Sequence, residues 1–131
     1  MNKEVRYIRD GAALNFDAGG YAVNPEDDTA VFAGDFRDQV LGIVGTGTVV
    51  VYGTNQKTPP DFTAPSTITN FYVPIVLVDY SLVNTYYAGT AGVTVAGTSK
   101  LVELNTNLLT WIAIHRSVNT VDVLLTETNA Q

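Results

Sequence analysis

The chain has 131 residues, a formal net charge of −6 and no cysteine, so a single domain of this size must hold its core by packing and hydrogen bonds alone. Disulfides, thiolate metal sites and a cysteine nucleophile are excluded. The seven Lys and Arg residues are scattered and the isoelectric point is near 4.4, which leaves out the basic patch of a direct nucleic-acid binder.

No apolar window approaches the length of a membrane-spanning helix, and Met1 opens onto polar Asn2-Lys3-Glu4 with no signal-peptide core behind it. The expectation is cytoplasmic synthesis without export and no membrane association. Charged residues make up 15% of the chain and hydrophobic ones 46%, and the prominence of Thr, Val and Gly favours pleated structure over helix.

Residues 1–30 read as an N-terminal arm or first strand. Val5, Tyr7 and Ile8 suggest the strand, and Gly11, Gly19, Gly20, Asn24 and Pro25 then break the pattern repeatedly. Ordering such a segment costs roughly 1 to 2 kcal/mol per residue, so Leu14, Phe16, Tyr21 and Val23 must bury surface against this domain or a neighbour. Residues 31–131 form the main domain, with room for a short helical turn around Phe36 to Val40.

The clearest strand is Gly47 to Gly53, where Val49-Val50-Val51 should be buried on both faces. Thr54 to Asn70, with Pro59, Pro60 and Pro65, reads as a long contact loop. Phe71 to Asp79 reads as a strand that Pro74 confines to an edge or a bulge. Val93-Thr94-Val95 and Leu101 to Leu104 fit a hairpin across Gly97-Thr98-Ser99. Leu109 to Arg116 and Val121 to Thr126 alternate in polarity and fit a second hairpin, turning near Val118-Asn119. Strands punctuated at this spacing predict an all-β domain, an antiparallel β-sandwich or jelly roll with an extended N-terminal arm.

The residues offer little for catalysis. His115 is the single histidine and shares strand parity with Trp111 and Ala113, while Ser81 and Ser117 lack a nucleophile elbow. No catalytic residue and no cofactor site is expected. Glu26, Asp27 and Asp28, with Asp35 or Asp61, supply oxygen ligands suited to calcium but lack EF-hand spacing, and a solvated turn after Pro25 explains them better. The glycines at 42, 45, 47 and 53 lack the order of a nucleotide loop and read as strand punctuation.

Four stretches, GTVVVYGTNQ, DFTAPSTITNFYVPIVLVDYS, LVELNTNLLTWIAIHRS and VDVLLTETN, span about residues 40 to 129. They resemble β-sandwich structural proteins of tailed bacteriophages, with modules similar to discoidin or galactose-binding sandwiches. The resemblance implies a virion subunit made in the host cytoplasm, either a capsid decoration or cement protein or a head-to-tail accessory. It further implies a homo-oligomer, with a trimer as the expected form, that binds capsid or tail proteins and catalyses nothing. A charge-poor surface suits such burial. The candidate interface residues are Tyr7, Leu14, Phe16 and Tyr21 in the arm, Pro59, Pro60 and Phe62 in the loop, and Tyr86 and Tyr87. The alternative is a carbohydrate-binding module, in which aromatics such as Phe71, Tyr80 and Trp111 stack on sugar rings.

Overall fold

The computed structural model of the chain describes residues 5–16, 19–23, 38–58, 60–105 and 109–130. In chain order its elements are β1 (Val5–Ala13), β2 (Asn15–Phe16), β3 (Ala22–Val23), β4 (Asp38–Thr54), α1 (Pro65–Phe71), β5 (Val73–Pro74), β6 (Leu77–Asp79), β7 (Tyr86–Tyr87), a 3-10 turn at Gly89–Ala91, β8 (Val93–Asn105), β9 (Trp111–Arg116) and β10 (Val121–Ala130). Every strand pairing is antiparallel. The fold is all-β and sandwich-like, and no helix among the described residues is long and apolar enough to cross a membrane.

β4 organises everything else. Its 17 residues would extend about 55 Å at ~3.3 Å per residue, whereas a domain of this length is roughly 36 Å across. The strand must therefore bend, and it does so through Gly45, Thr46 and Gly47, with φ at +112° for Gly45. Leu41 and Ile43 before the bend and Val49 and Val51 after it share one parity, and all four enter the same core. The bend folds the sheet over its own concave face.

Along one side of β4 runs β8, paired from Asp38↔Asn105 to Val49↔Val93. Along the other side run β10, from Asp38↔Thr128 to Gly45↔Val121, and then β9, from Val49↔Arg116 to Thr54↔Trp111. The main sheet has the order β1-β10-β4-β8-β6-β7, with β5 and β9 also paired to β4. Val93, Val95, Val102, Leu104, Ile112, Ile114, Val121, Val123 and Leu125 complete the core.

Both expected hairpins are corrected by these registers. Gly45 faces Thr98 and Thr46 faces Ala96, so Gly97, at φ +67°, is an extra residue in one continuous strand. Its N–H donates to Thr46 Oγ1 at 3.0 Å, which makes it a β-bulge and not a turn. Likewise β9 and β10 do not pair with each other. Ser117 to Thr120 are stitched to β4, with Ser117 N–H donating to Thr48 O at 2.9 Å and Thr46 N–H to Thr120 O at 3.1 Å. The tight two-residue turns that favour hairpins need positive φ at one or both central residues, and neither Val118 nor Asn119 has it.

Three further expectations are corrected. Asp38 to Val40 is strand, not helical turn. The long loop contains α1, which begins at Pro65 in the first-turn position where a missing N–H costs nothing. The expected Phe71 to Asp79 strand is split into the end of α1, β5 and β6. The N-terminal stretch takes the form of a first strand: β1 pairs with β10, and Leu14 and Ala22 enter the core. The boundary expected at residues 30 and 31 lies outside the described residues.

The two halves of the bent sheet differ on their outer faces. Beyond the bend, Tyr52, Trp111 and Ala113 are covered by Ile68 and Tyr72 of the α1 segment together with Tyr21 and Phe62. Before the bend, no described element covers the outer face.

Candidate binding face

Register places the outward side chains of that uncovered half in rows. Leu124, Gly42 and Leu101 stand opposite one another, and Tyr80 lies beside Leu101, its N–H donating to Leu101 O at 3.0 Å. One neighbouring row contains Thr126, Val40, Glu103 and Val78; the other contains Asp122, Val44 and Ser99. The face is apolar along its middle, with Leu101 54% and Tyr80 57% exposed, and its rim bears the exposed carboxylates Glu103 and Asp122.

The middle of this face, from Val40, Gly42 and Val44 to Leu101, Leu124 and Tyr80, lines a groove of about 640 Å³, to which Lys100 also contributes. The dent in its floor comes from Gly42, where a Cβ would meet Leu101 Cδ2 at 3.6 Å and Leu124 Cβ at 3.7 Å, both ordinary contact distances. A glycine in mid-strand forgoes side-chain packing. Here it leaves a hollow between two leucines.

One wall of the groove is the β6–β7 loop, and Asp79 shapes it. Its Oδ1 accepts from Ser81 N at 2.7 Å, Ser81 Oγ at 2.9 Å and Leu82 N at 3.0 Å, and its Oδ2 accepts from Tyr87 OH at 2.6 Å. The Tyr87 hydroxyl, more than the backbone and Ser81 donors, lowers the Asp79 carboxyl to about 2 against the opposing effect of burial. Asn84 completes the turn at φ +58°. The carboxylate thus holds a short loop whose tip, Val83, is 90% exposed, flanked by exposed Leu82 and Tyr86.

The sequence-level interface residues are dispersed. Tyr86 is exposed beside this loop, whereas Tyr87 is half-buried, bonded to Asp79, with Lys100 Nζ 4.8 Å from its ring centroid. Leu14 and Tyr21 are corrected to interior residues, because each is buried in the chain's own clusters. Phe16 packs on the core under the Arg116 guanidinium at 4.2 Å, and Phe62 packs on Tyr21 at 5.7 Å. Pro60 is half-buried in a separate cavity near α1. Tyr7 is placed opposite Thr128 in the β1–β10 pair. Pro59, Glu26, Asp27, Asp28 and Asp35 lie outside the described residues.

The His115 ring packs tilted against Tyr21, 4.9 Å between centroids, and the two residues bridge through the backbone. Ser117 Oγ accepts from Thr48 N, and Ser81 serves Asp79, so all three are engaged in the architecture. Among the described residues no three His, Cys, Asp or Glu side chains gather where they could hold a metal.

Sequence reasoning missed Val40, Gly42, Val44, Leu101, Leu124 and the Asp79–Tyr80–Ser81 turn. The available signals were the outward alternation of Leu124 and Thr126, and an Asp followed two residues later by Ser, the pattern of a local side-chain turn. No family model, curated protein or solved structure matches the chain.

Proposed function

We propose that this protein is a non-enzymatic structural subunit of a tailed-phage virion, a capsid decoration or cement protein or a head-to-tail accessory, which docks through the uncovered outer face of β10, β4 and β8. The observation that carries the reading is the apolar row Leu124–Gly42–Leu101–Tyr80, backed by the protruding Leu82-Val83 tip, on a chain with only 15% charged residues. Contiguous apolar surface with a polar rim marks interaction sites, and interface centres are depleted of charge. The net charge of −6 and the exposed Glu103 and Asp122 beside the groove, set against Lys100 in its lining, favour a partner with an apolar centre and a net basic surface. Self-association into a homo-oligomer, expected as a trimer, belongs to the same reading and would use other surfaces.

The test is incorporation. Particles are purified from an infection in which either the wild-type chain or the Tyr80→Asp, Leu101→Asp double variant is supplied, and the chain is quantified by mass spectrometry. Wild type should appear at a fixed ratio to the major shell protein, and the variant should stay in the soluble fraction with an unchanged thermal midpoint. Absence of wild type from particles refutes the virion role. Incorporation of the variant refutes the face. Light scattering on the purified chain reads the oligomer independently.

A further inference from the structure

On the opposite half of the molecule, the segment between β4 and β5 forms a second, half-open cavity of about 340 Å³, lined by Gln56, Thr58, Pro60, Asp61, Thr67, Phe71 and Tyr72. Its chemistry differs from that of the docking face: four polar side chains converge beside one aromatic platform. Phe71 ends α1 with 59% of its surface exposed, and its ring belongs to neither buried cluster.

The polar groups are available. Asp61 Oδ1 accepts from Thr63 N at 2.9 Å and from Thr63 Oγ1 at 2.6 Å. These bonds hold the carboxylate ionised and leave Oδ2 unengaged among the described residues. The Gln56 amide and the Thr58 hydroxyl have no side-chain partner among the described residues, and Thr67 Oγ1, which donates to Ala64 O at 2.7 Å, keeps its acceptor capacity. Tyr72 is buried on the same wall, 6% exposed, and its hydroxyl has no partner among the described residues. A buried hydroxyl left unbonded calls for an explanation.

The loop is positioned by the body of the fold. Thr54 Oγ1 donates to Phe71 O at 3.2 Å and accepts from Gln56 N at 3.2 Å, while Trp111 Nε1 donates to Lys57 O at 3.2 Å. The cavity walls are therefore fixed to the ends of β4 and β9.

From the exposed Phe71 ring beside the unengaged Asp61, Gln56 and Thr58 groups we infer that this cavity binds a neutral, polyhydroxylated ring, the chemistry of a glycan residue. The apolar C–H face of such a ring stacks on an aromatic surface, and its vicinal hydroxyls pair with a carboxylate oxygen and an amide. A few polar groups placed around an apolar contact are what fix orientation in small-molecule sites. The Asp61 charge and the chain's net charge of −6 select neutral sugars over anionic ones. The site shares no residue with the docking face and does not depend on the proposed function.

The test uses the whole chain, labelled with ¹⁵N, titrated with methyl glucoside, methyl galactoside and methyl mannoside to about 10 mM, a range that reads millimolar affinities. At least one should give saturable amide shifts confined to residues 54–73. Phe71→Ala and Asp61→Asn, both at exposed positions, should each weaken binding about tenfold with an unchanged thermal midpoint. No shift with any of the three glycosides overturns the inference, as does retained affinity in Phe71→Ala. Equal shifts from cyclohexanemethanol, which has the ring but no vicinal hydroxyls, overturn the polyol assignment.

Discussion

Replacing Gly45 by alanine tests whether the bend in β4 holds the two halves of the sheet together. A Cβ at this position would lie 2.3 Å from Thr120 O, closer than real contacts allow, on a backbone whose φ is +112°. The strained backbone conformation costs about 1 to 3 kcal/mol. The displaced carbonyl is the one that accepts from Thr46 N at 3.1 Å, a bond contributing about 1 kcal/mol. The lost chain entropy of the unfolded glycine returns about 0.4 to 1 kcal/mol, leaving a net destabilisation of about 2 kcal/mol and a thermal midpoint lowered by roughly 8 °C.

Gly42→Ala is the internal control, three positions earlier on the same strand. Its Cβ meets nothing nearer than 3.6 Å, so the entropy term dominates and stability should hold or rise by about 0.5 kcal/mol. Urea denaturation of both variants, with the slope checked for two-state behaviour, reads the difference. A Gly45→Ala variant within about 0.5 kcal/mol of wild type, or a Gly42→Ala variant equally destabilised, refutes the assignment of the bend to Gly45.

Two more predictions concern single polar groups. The Asp79 carboxyl, at about 2 in the fold against an ordinary 3.8, contributes stability that is fully present above about pH 4 and is lost as the pH falls through about 2; Tyr87→Phe should move that loss to higher pH, followed through the Ser81 and Leu82 amide shifts, and an unmoved titration would show that the Tyr87 bond is not what holds the carboxylate. Tyr72→Phe deletes a buried hydroxyl that has no partner among the described residues and should leave stability unchanged or raise it by about 1 kcal/mol. Because burial raises the phenol to about 12 from 10.0, the wild type should also lose stability between those pH values in a way the variant does not. A destabilised variant would mean that the hydroxyl is bonded.

The inward residues were legible because alternation is a property of a few adjacent positions. Ile112 and Ile114 face the core while Trp111 and Ala113 face the α1 side, as their spacing predicts, and Val49-Val50-Val51 is buried on both faces. Pairing partners were not legible in this way. Gly97-Thr98-Ser99 and Ser117 to Thr120 carry the composition of turns, but a glycine with positive φ serves a bulge as readily as a turn. Only the partner strand decides between them, and it lies 51 to 55 residues away for the first. The candidate face was hidden for the same reason: Val40, Leu101 and Leu124 become one surface only when three remote segments fall into register.

The bend and the two bulges occur at one level of the sheet, and this coincidence explains why a chain of this length exposes an apolar face at all. Thr46 is bonded on both sides there, its side chain accepting from Gly97 N and its carbonyl from Thr120 Oγ1 at 2.7 Å. A strand that bends needs its neighbours to supply extra residues on the outside of the curve, and Gly97 and Ser117 to Thr120 supply them. Bending brings the inner faces of both halves onto one core, which uses up the concave surface and turns both outer faces toward solvent. The short helix α1 is attached beyond the bend, where it covers Tyr52, Trp111 and Ala113, and among the described residues nothing covers the other half. Among the described residues an uncovered apolar sheet face therefore follows from the fold's economy of layers, and the proposed virion partner is what would cover it.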